Sequence, residues 1–233
     1  MNLRAENVSK KYVRQTGSAN YFEAVSSLSI SLEAGQLTVL TGRSGSGKTT
    51  LMHMLAGLLV PDTGKVFLGS SDLYAMTDSE LARERNGHIA VIPQSRSGIE
   101  SLTVWENILL PRLLYSASFR EEAAAEWMER LEIQSLRNAY PKELSGGELR
   151  RMAIARAMTW NAEVILADEP TGDLDTESTG KVLSILRDAA HRDGKTVLLV
   201  THECEAAAFA DRIFRMDGGK LAEIDYKYTT CTF

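Results

Sequence analysis

Gly42 and Gly47 flank four residues and are followed by Lys48 and Thr49, within the stretch TGRSGSGKTT at 41–50. Residues of these types at this spacing hold phosphate. The small residues Gly42, Ser44, Gly45, Ser46 and Gly47, with Arg43 among them, let successive backbone N–H groups turn into one concavity. Lys48 adds a point charge for the β- and γ-phosphates of a nucleotide, and the Thr49 hydroxyl is placed to ligate Mg²⁺. Thr50 continues into a helix whose free N–H groups and positive dipole end face the same anion. The spacing is the P-loop pattern, G-x-x-x-x-G-K-[ST], and it lies between an apolar run at 37–40 and a helix-like run at 51–58, the strand-loop-helix setting that the pattern requires.

A second group is acidic. Asp168 follows four apolar residues and precedes Glu169. A buried, unpaired aspartate costs several kcal/mol, so Asp168 is expected to hold Mg²⁺ through water. Glu169, one residue on, can polarise an attacking water. Beside a P-loop this pair fits in-line phosphoryl transfer, where catalysis is mostly positioning and charge stabilisation. Lys10-Lys11-Tyr12 places an aromatic after two cations about thirty residues ahead of the cradle. By itself that residue reads better as an ordinary surface tyrosine than as one that stacks on an adenine face.

The elements that must position these groups follow from periodicity. Residues 3–8 read as an edge strand, and the alternation of Leu28, Ile30 and Leu32 with serines reads as a half-buried strand. Leu51, Met54, Leu55 and Leu58 recur at helical spacing, which makes Met52 and His53 packing or surface residues. Pro61 to Gly64 form a turn, followed by a short strand at 65–68 and a polar helix at 78–86. A buried strand at 88–92 ends at Pro93-Gln94.

From 101 to 136 the pattern is helical: Thr103 caps a helix at 104–110, Pro111 interrupts it, and 120–131 form another. Leu144-Ser145-Gly146-Gly147-Glu148 reads as a glycine-containing break before a helix at 149–160, whose N-terminus offers a second anion site. Buried strands at 163–167 and 197–200, a helix at 176–188, a hairpin at 212–225 and a frayed tail complete the chain. Strands alternating with helices predict a largely parallel sheet with ligands at the strands' carboxyl ends.

Length and charge narrow the classes. The 233 residues predict one α/β domain with a helical subdomain inserted at about 95–160, between core segments at about 1–94 and 161–233. A net charge of −5 argues against a nucleic-acid partner, which needs a positive footprint. No apolar run approaches the roughly 18–20 residues that cross a bilayer, and the N-terminus lacks a signal peptide's apolar core, so the chain is expected in the cytoplasm. Cys204 and Cys231 have no metal-ligand spacing and are expected to be reduced bystanders.

Together these segments resemble the ABC-type ATPases, the nucleotide-binding subunits of ABC transporters, over nearly the whole chain. The resemblance rests on six motifs in order: TGRSGSGKTT, IPQ at Gln94, LSGGE at 144–148, VILADEP, TGDLD and His202. It implies a P-loop NTPase fold with a mainly parallel core sheet, an N-terminal antiparallel β portion and an inserted α-helical subdomain. It also implies a dimer of identical chains that sandwiches two ATP molecules, each between one chain's P-loop and the other's Ser145, Gly146 and Gly147.

On the same resemblance Tyr12 stacks on adenine, Gln94 joins Thr49 and Asp168 around Mg²⁺, and Glu169 is the general base. His202 contacts the γ-phosphate and Asp175 couples the two sites. The implied partner is an integral membrane permease, with this chain peripheral on the cytoplasmic face of the membrane. The stretches MLAGLLVPDTG, LTVWENILLP and TGDLD resemble the branch serving lipoprotein release, macrolide and peptide export, antimicrobial-peptide resistance and cell division. Trp105 and residues 109–114 would then help form the groove for the permease; equally, they read as the helical subdomain's own core. Two positions depart from the family pattern: Glu148 stands where many relatives carry Gln, and VIP precedes Gln94 in place of an aromatic-containing run. The competing class is a soluble ABC-type ATPase acting on nucleic acid or ribosomes, which the negative charge and the single ATPase unit disfavour.

Overall fold

The computed structural model describes residues 1–14, 20–95, 97–115 and 121–225. The first half of the chain runs β1 (Leu3–Arg14), β2 (Asn20–Leu32), β3 (Leu37–Thr41), α1 (Lys48–Leu55), β4 (Thr63–Leu68), β5 (Ser71–Asp72), α2 (Asp78–His88) and β6 (Ile89–Ile92). There follow α3 (Val104–Tyr115), α4 (Glu121–Arg130), α5 (Gly146–Trp160), β7 (Val164–Asp168), α6 (Thr176–His191), β8 (Thr196–Val200), β9 (Arg212–Asp217) and β10 (Lys220–Ile224). The tail, Cys231 and the expected helix start at Arg120 lie outside the described residues.

Every residue of β3, β7 and β8 is buried. Strands covered on both faces must be apolar throughout, which is why these segments read as continuous runs. They form the centre of a six-stranded sheet of order β10-β9-β3-β8-β7-β6, parallel except for the β9–β10 hairpin at its edge. Their side chains alternate between two cores. Ile165, Ala167, Val197 and Leu199 pack with α3, α5 and α6. Val164, Leu166, Leu198 and Val200 pack against α1 and the antiparallel strands β1, β2 and β4. The expected parallel core with an antiparallel β portion is the architecture observed.

Four local expectations need correction. β1 is not an edge strand: it pairs with β2 on one side and β4 on the other, in the order β2-β1-β4-β5. Pro111 does not interrupt the helix but lies inside α3. One missing N–H is tolerated there because Ile108 and Leu109 are buried in the core and Arg112 Nε donates to the Thr159 carbonyl at 2.9 Å. Leu58 falls beyond the end of α1 and is exposed.

The fourth concerns LSGGE. Gly146 and Gly147 are the first residues of α5, not a break before it, and Ser145 is the N-cap. The Ser145 N–H and hydroxyl both donate to Glu148 Oε2 at 2.7 Å, and the Glu148 N–H returns a bond to Ser145 Oγ at 3.3 Å. This reciprocal capping box satisfies the helix end and offsets the glycines' low helix propensity. The expected Thr103 cap is present in the same form, with Thr103 donating to Glu106 Oε2 at 2.8 Å through both its N–H and its hydroxyl.

Candidate nucleotide site

The loop between β3 and α1 turns at glycines that nothing larger could replace. Gly42 has φ 148° and Gly47 has φ 106°. A Cβ at Gly42 would lie 2.1 Å from the Met216 carbonyl oxygen, and one at Gly47 would lie 2.0 Å from that of Ala24. The loop is therefore braced by β9 on one side and β2 on the other. Gly47 in its left-handed conformation is the N-cap of α1, and no side chain caps the helix. The first N–H groups of α1 are left for an anion, with no acidic residue in the first turn to oppose it.

Above this loop lies a cavity of about 640 Å³. It is lined by Gly42, Arg43, Ser44, Gly45, Gly47, Lys48, Thr49 and Thr50, by Gln94, Asp168, Glu169 and His202, and by Tyr12, Phe22 and Ala24. Of the P-loop positions, Ser46 alone is not on this wall: its side chain is buried and its N–H closes a turn onto the Arg43 carbonyl at 3.2 Å.

The ends of three parallel strands bring the charged groups together. Lys48 donates to the carbonyls of Gly42 at 2.7 Å and Arg43 at 3.1 Å. Burial lowers its ammonium pKa, against the raising effect of Glu169 and Asp168. The Thr49 hydroxyl donates to Asp168 Oδ2 at 2.9 Å. Burial raises the Asp168 carboxyl, the Thr49 hydrogen bond pulls it back down, and the neighbouring Glu169 charge raises it again. A carboxylate pushed up by burial beside a hydroxyl is a donor set that suits a hard divalent cation. The residues present fit Mg²⁺.

Glu169 is the residue after β7 and adopts φ 47°, a left-handed conformation uncommon outside glycine. Its N–H is fixed by the Val200 carbonyl at 2.8 Å. Its carboxylate meets His202 Nδ1 at 2.8 Å and accepts from the Thr201 hydroxyl at 3.3 Å. The turned backbone, held by β8, aims this carboxylate into the cavity rather than along the strand.

The remaining predicted residues lie elsewhere. Ser145, Gly146, Gly147 and Asp175 line a separate shallow depression with Arg151, Asp173 and Leu174. Asp175 is the N-cap of α6, accepting from the Ser178 N–H at 2.8 Å. Sequence reading missed several groups. Phe22 and Ala24 line the cavity, and the Arg150 guanidinium donates to the carbonyls of Pro93 and Gln94. Glu203 accepts from the Thr171 hydroxyl at 2.5 Å, joining the loop after β8 to the loop after β7.

The family described as ABC transporter matches residues 25–172. Macrolide export ATP-binding/permease protein MacB of Chlorobaculum tepidum is 39% identical over 223 residues, which cover 93% of this chain and 33% of that protein. The chain thus spans about a third of that relative's length. Lipoprotein-releasing system ATP-binding protein LolD 2 of Rhodopirellula baltica is 36% identical over 205 residues, 84% of this chain and 80% of that one. Among solved structures, the cassette MJ0796, in a dimeric post-hydrolysis state bound to ADP and Pi, superposes with a TM-score of 0.90 at 31% identity, over 96% of this chain and 98% of that chain.

Proposed function

The chain belongs to the ABC transporter family, and from that premise we propose that it is the ATP-binding and ATP-hydrolysing subunit that powers a separately encoded membrane permease. The observation that carries this reading is the meeting of Lys48, the Thr49–Asp168 pair and the Glu169–His202 pair on one cavity above an uncapped helix N-terminus. Phosphate binding, metal binding and water activation are all provided for there.

In this reading Tyr12 stacks on adenine and residues 42–50 hold the phosphates. Thr49, Asp168 and Gln94 would hold Mg²⁺, which would supply positive charge to offset that of the phosphates. Glu169 takes the proton from the attacking water, and His202, already bonded to that carboxylate, contacts the γ-phosphate. Ser145, Gly146 and Gly147 serve the ATP of a second copy of the chain, and Asp175 sits between the two sites. Their separation from the P-loop cavity supports this, because within one chain they line a depression of their own and not the cavity that holds Lys48 and Glu169. The dimeric state of the MJ0796 cassette supports it too.

The permease partner, the placement on the cytoplasmic face of the membrane, the export, extrusion or mechanotransmission type and the division into a core and a 95–160 helical subdomain are part of the same proposal. The permease and export parts are supported by the similarity to MacB and LolD 2, and the helical subdomain by the packing of α3 and α4 on α5. No helix among the described residues is long and apolar enough to cross a membrane.

The test is capture of tagged Glu169→Gln protein from detergent-solubilised native membranes with Mg-ATP. A stoichiometric integral membrane protein supports the reading. Recovery of soluble partners or nucleic acid alone, with the protein absent from membranes, overturns it in favour of a soluble ATPase.

A further inference from the structure

Tyr12 and Phe22 are direct partners across the antiparallel β1–β2 ladder. In such a pair the two side chains leave the same face of the sheet with Cβ atoms about 4.5–5.5 Å apart. The ladder shifts register between the Lys10–Val25 and Lys11–Glu23 pairs, which places the irregularity at Ala24. A bulge at this point re-aims the side chains beyond it. Ala24 and Val25 are consecutive yet both buried, and past them Tyr12 and Phe22 both line the cavity that the P-loop floors. The Ala24 carbonyl packs where a Cβ of Gly47 would be, so the bulge also fixes the distance between this aromatic pair and the phosphate cradle.

We propose that Phe22 is a second base-binding residue, forming with Tyr12 a continuous aromatic platform for the purine of the nucleotide. The proposal rests on the ATP-binding reading of the cavity. Two rings at this spacing stand side by side and are too close to sandwich a base. Together they offer a purine two ring surfaces where Tyr12 alone offers one. Tyr12 is 41% exposed and Phe22 is 36% exposed, so both present area that a base can cover. Stacking of a base on an aromatic side chain needs a π-face and is insensitive to which base supplies it.

The experiment compares Mg-ATP with Mg-tripolyphosphate, which carries the phosphates and no base, by calorimetric titration of the full chain. The variants are Phe22→Ala, Phe22→Leu, which keeps apolar bulk without a π-face, and Phe22→Trp. Phe22→Ala and Phe22→Leu are expected to weaken ATP binding about five- to fiftyfold, leave tripolyphosphate binding unchanged, and be rescued by Phe22→Trp. ATP binding unchanged in Phe22→Ala or Phe22→Leu overturns the proposal, as does an equal loss for tripolyphosphate, which would mean that Phe22 only supports the cradle. A wild-type chain that binds no ATP removes the ATP-binding reading and this one with it.

Discussion

Arg150, on the second turn of α5, donates from Nη2 to the carbonyl oxygen of Gln94 at 2.6 Å. Its Nη1 reaches the Pro93 carbonyl at 2.7 Å, and the guanidinium, itself buried, lies 3.7 Å from Asp173. One side chain thereby ties the helix that begins at Ser145 to the strand end that carries Gln94 and to the loop before Asp175. Arg150→Met is expected to leave two carbonyls without their donor and to cost about 2–4 kcal/mol of stability. Urea unfolding measures that. Turnover should fall more than ATP affinity, because Gln94 is displaced while the P-loop stays intact; equal losses in both would deny Arg150 this positioning role.

Glu169 is held on three sides, by the Val200 carbonyl at its N–H and by Thr201 and His202 at its carboxylate. Replacing it with Gln preserves the shape and removes the proton acceptor. Glu169→Gln is expected to bind ATP normally and to turn over about 10²–10⁴ times more slowly. Steady-state phosphate release, with ATP binding measured separately, decides it, and near-normal turnover takes the base role away from Glu169.

The P-loop glycines are not equivalent. Alanine at Gly42 or Gly47 would drive a Cβ to within 2.1 Å or 2.0 Å of a backbone carbonyl oxygen of another strand. A clash that short with backbone cannot be relieved by turning a side chain, so each variant should lose more than about 3 kcal/mol along with nucleotide binding. Gly45 has φ 77° but nothing within 4 Å of its Cβ position, so Gly45→Ala should cost only about 1–2 kcal/mol, the left-handed conformation alone. Thermal unfolding of the three variants tests the order; a Gly45→Ala as damaging as Gly47→Ala would contradict it.

What the sequence made legible was local. Glycine spacing around Lys48 and an apolar run ending in Asp168 are signals contained within ten residues, and both mark the cavity. What it hid depends on partners distant in the chain. β1 reads as an edge strand because its second neighbour, β4, arrives more than fifty residues later. Pro111 reads as a helix end because its cost is local, whereas what holds α3 together is packing on α5. Phe22 was missed since β2 begins before its clearest alternation, and a bulge leaves no mark in composition. Arg150 and Glu203 act through backbone carbonyls and a hydroxyl brought near only by the fold.

Ser145 lies apart from the chain's own P-loop cavity. A bulky cation placed there should spare ATP binding by the isolated chain and block the closing of two copies. Ser145→Arg is therefore expected to abolish hydrolysis with unchanged nucleotide affinity, and mixing it with a variant defective only in the P-loop should restore at most one competent site per dimer. Normal hydrolysis by Ser145→Arg would dismantle the two-chain site.

Glu148 makes the same N-terminus pH-sensitive. The Ser145 hydroxyl first, and then the Ser145 N–H, hold its carboxyl below the ordinary glutamate value. A carboxyl depressed in the folded state contributes stability that is fully present above the unfolded-state pKa, about 4.3, and is lost as pH falls through the lower folded value. The group is partly solvated, so the contribution is at most about 1 kcal/mol. Glu148→Gln keeps an acceptor for Ser145 but loses the charge beside the helix dipole. Urea unfolding should find wild type more stable than Glu148→Gln at pH 7, with the gap closing below pH 4. A gap that stays constant across that range would mean that the capping hydrogen bonds, and not the charge, account for the whole effect.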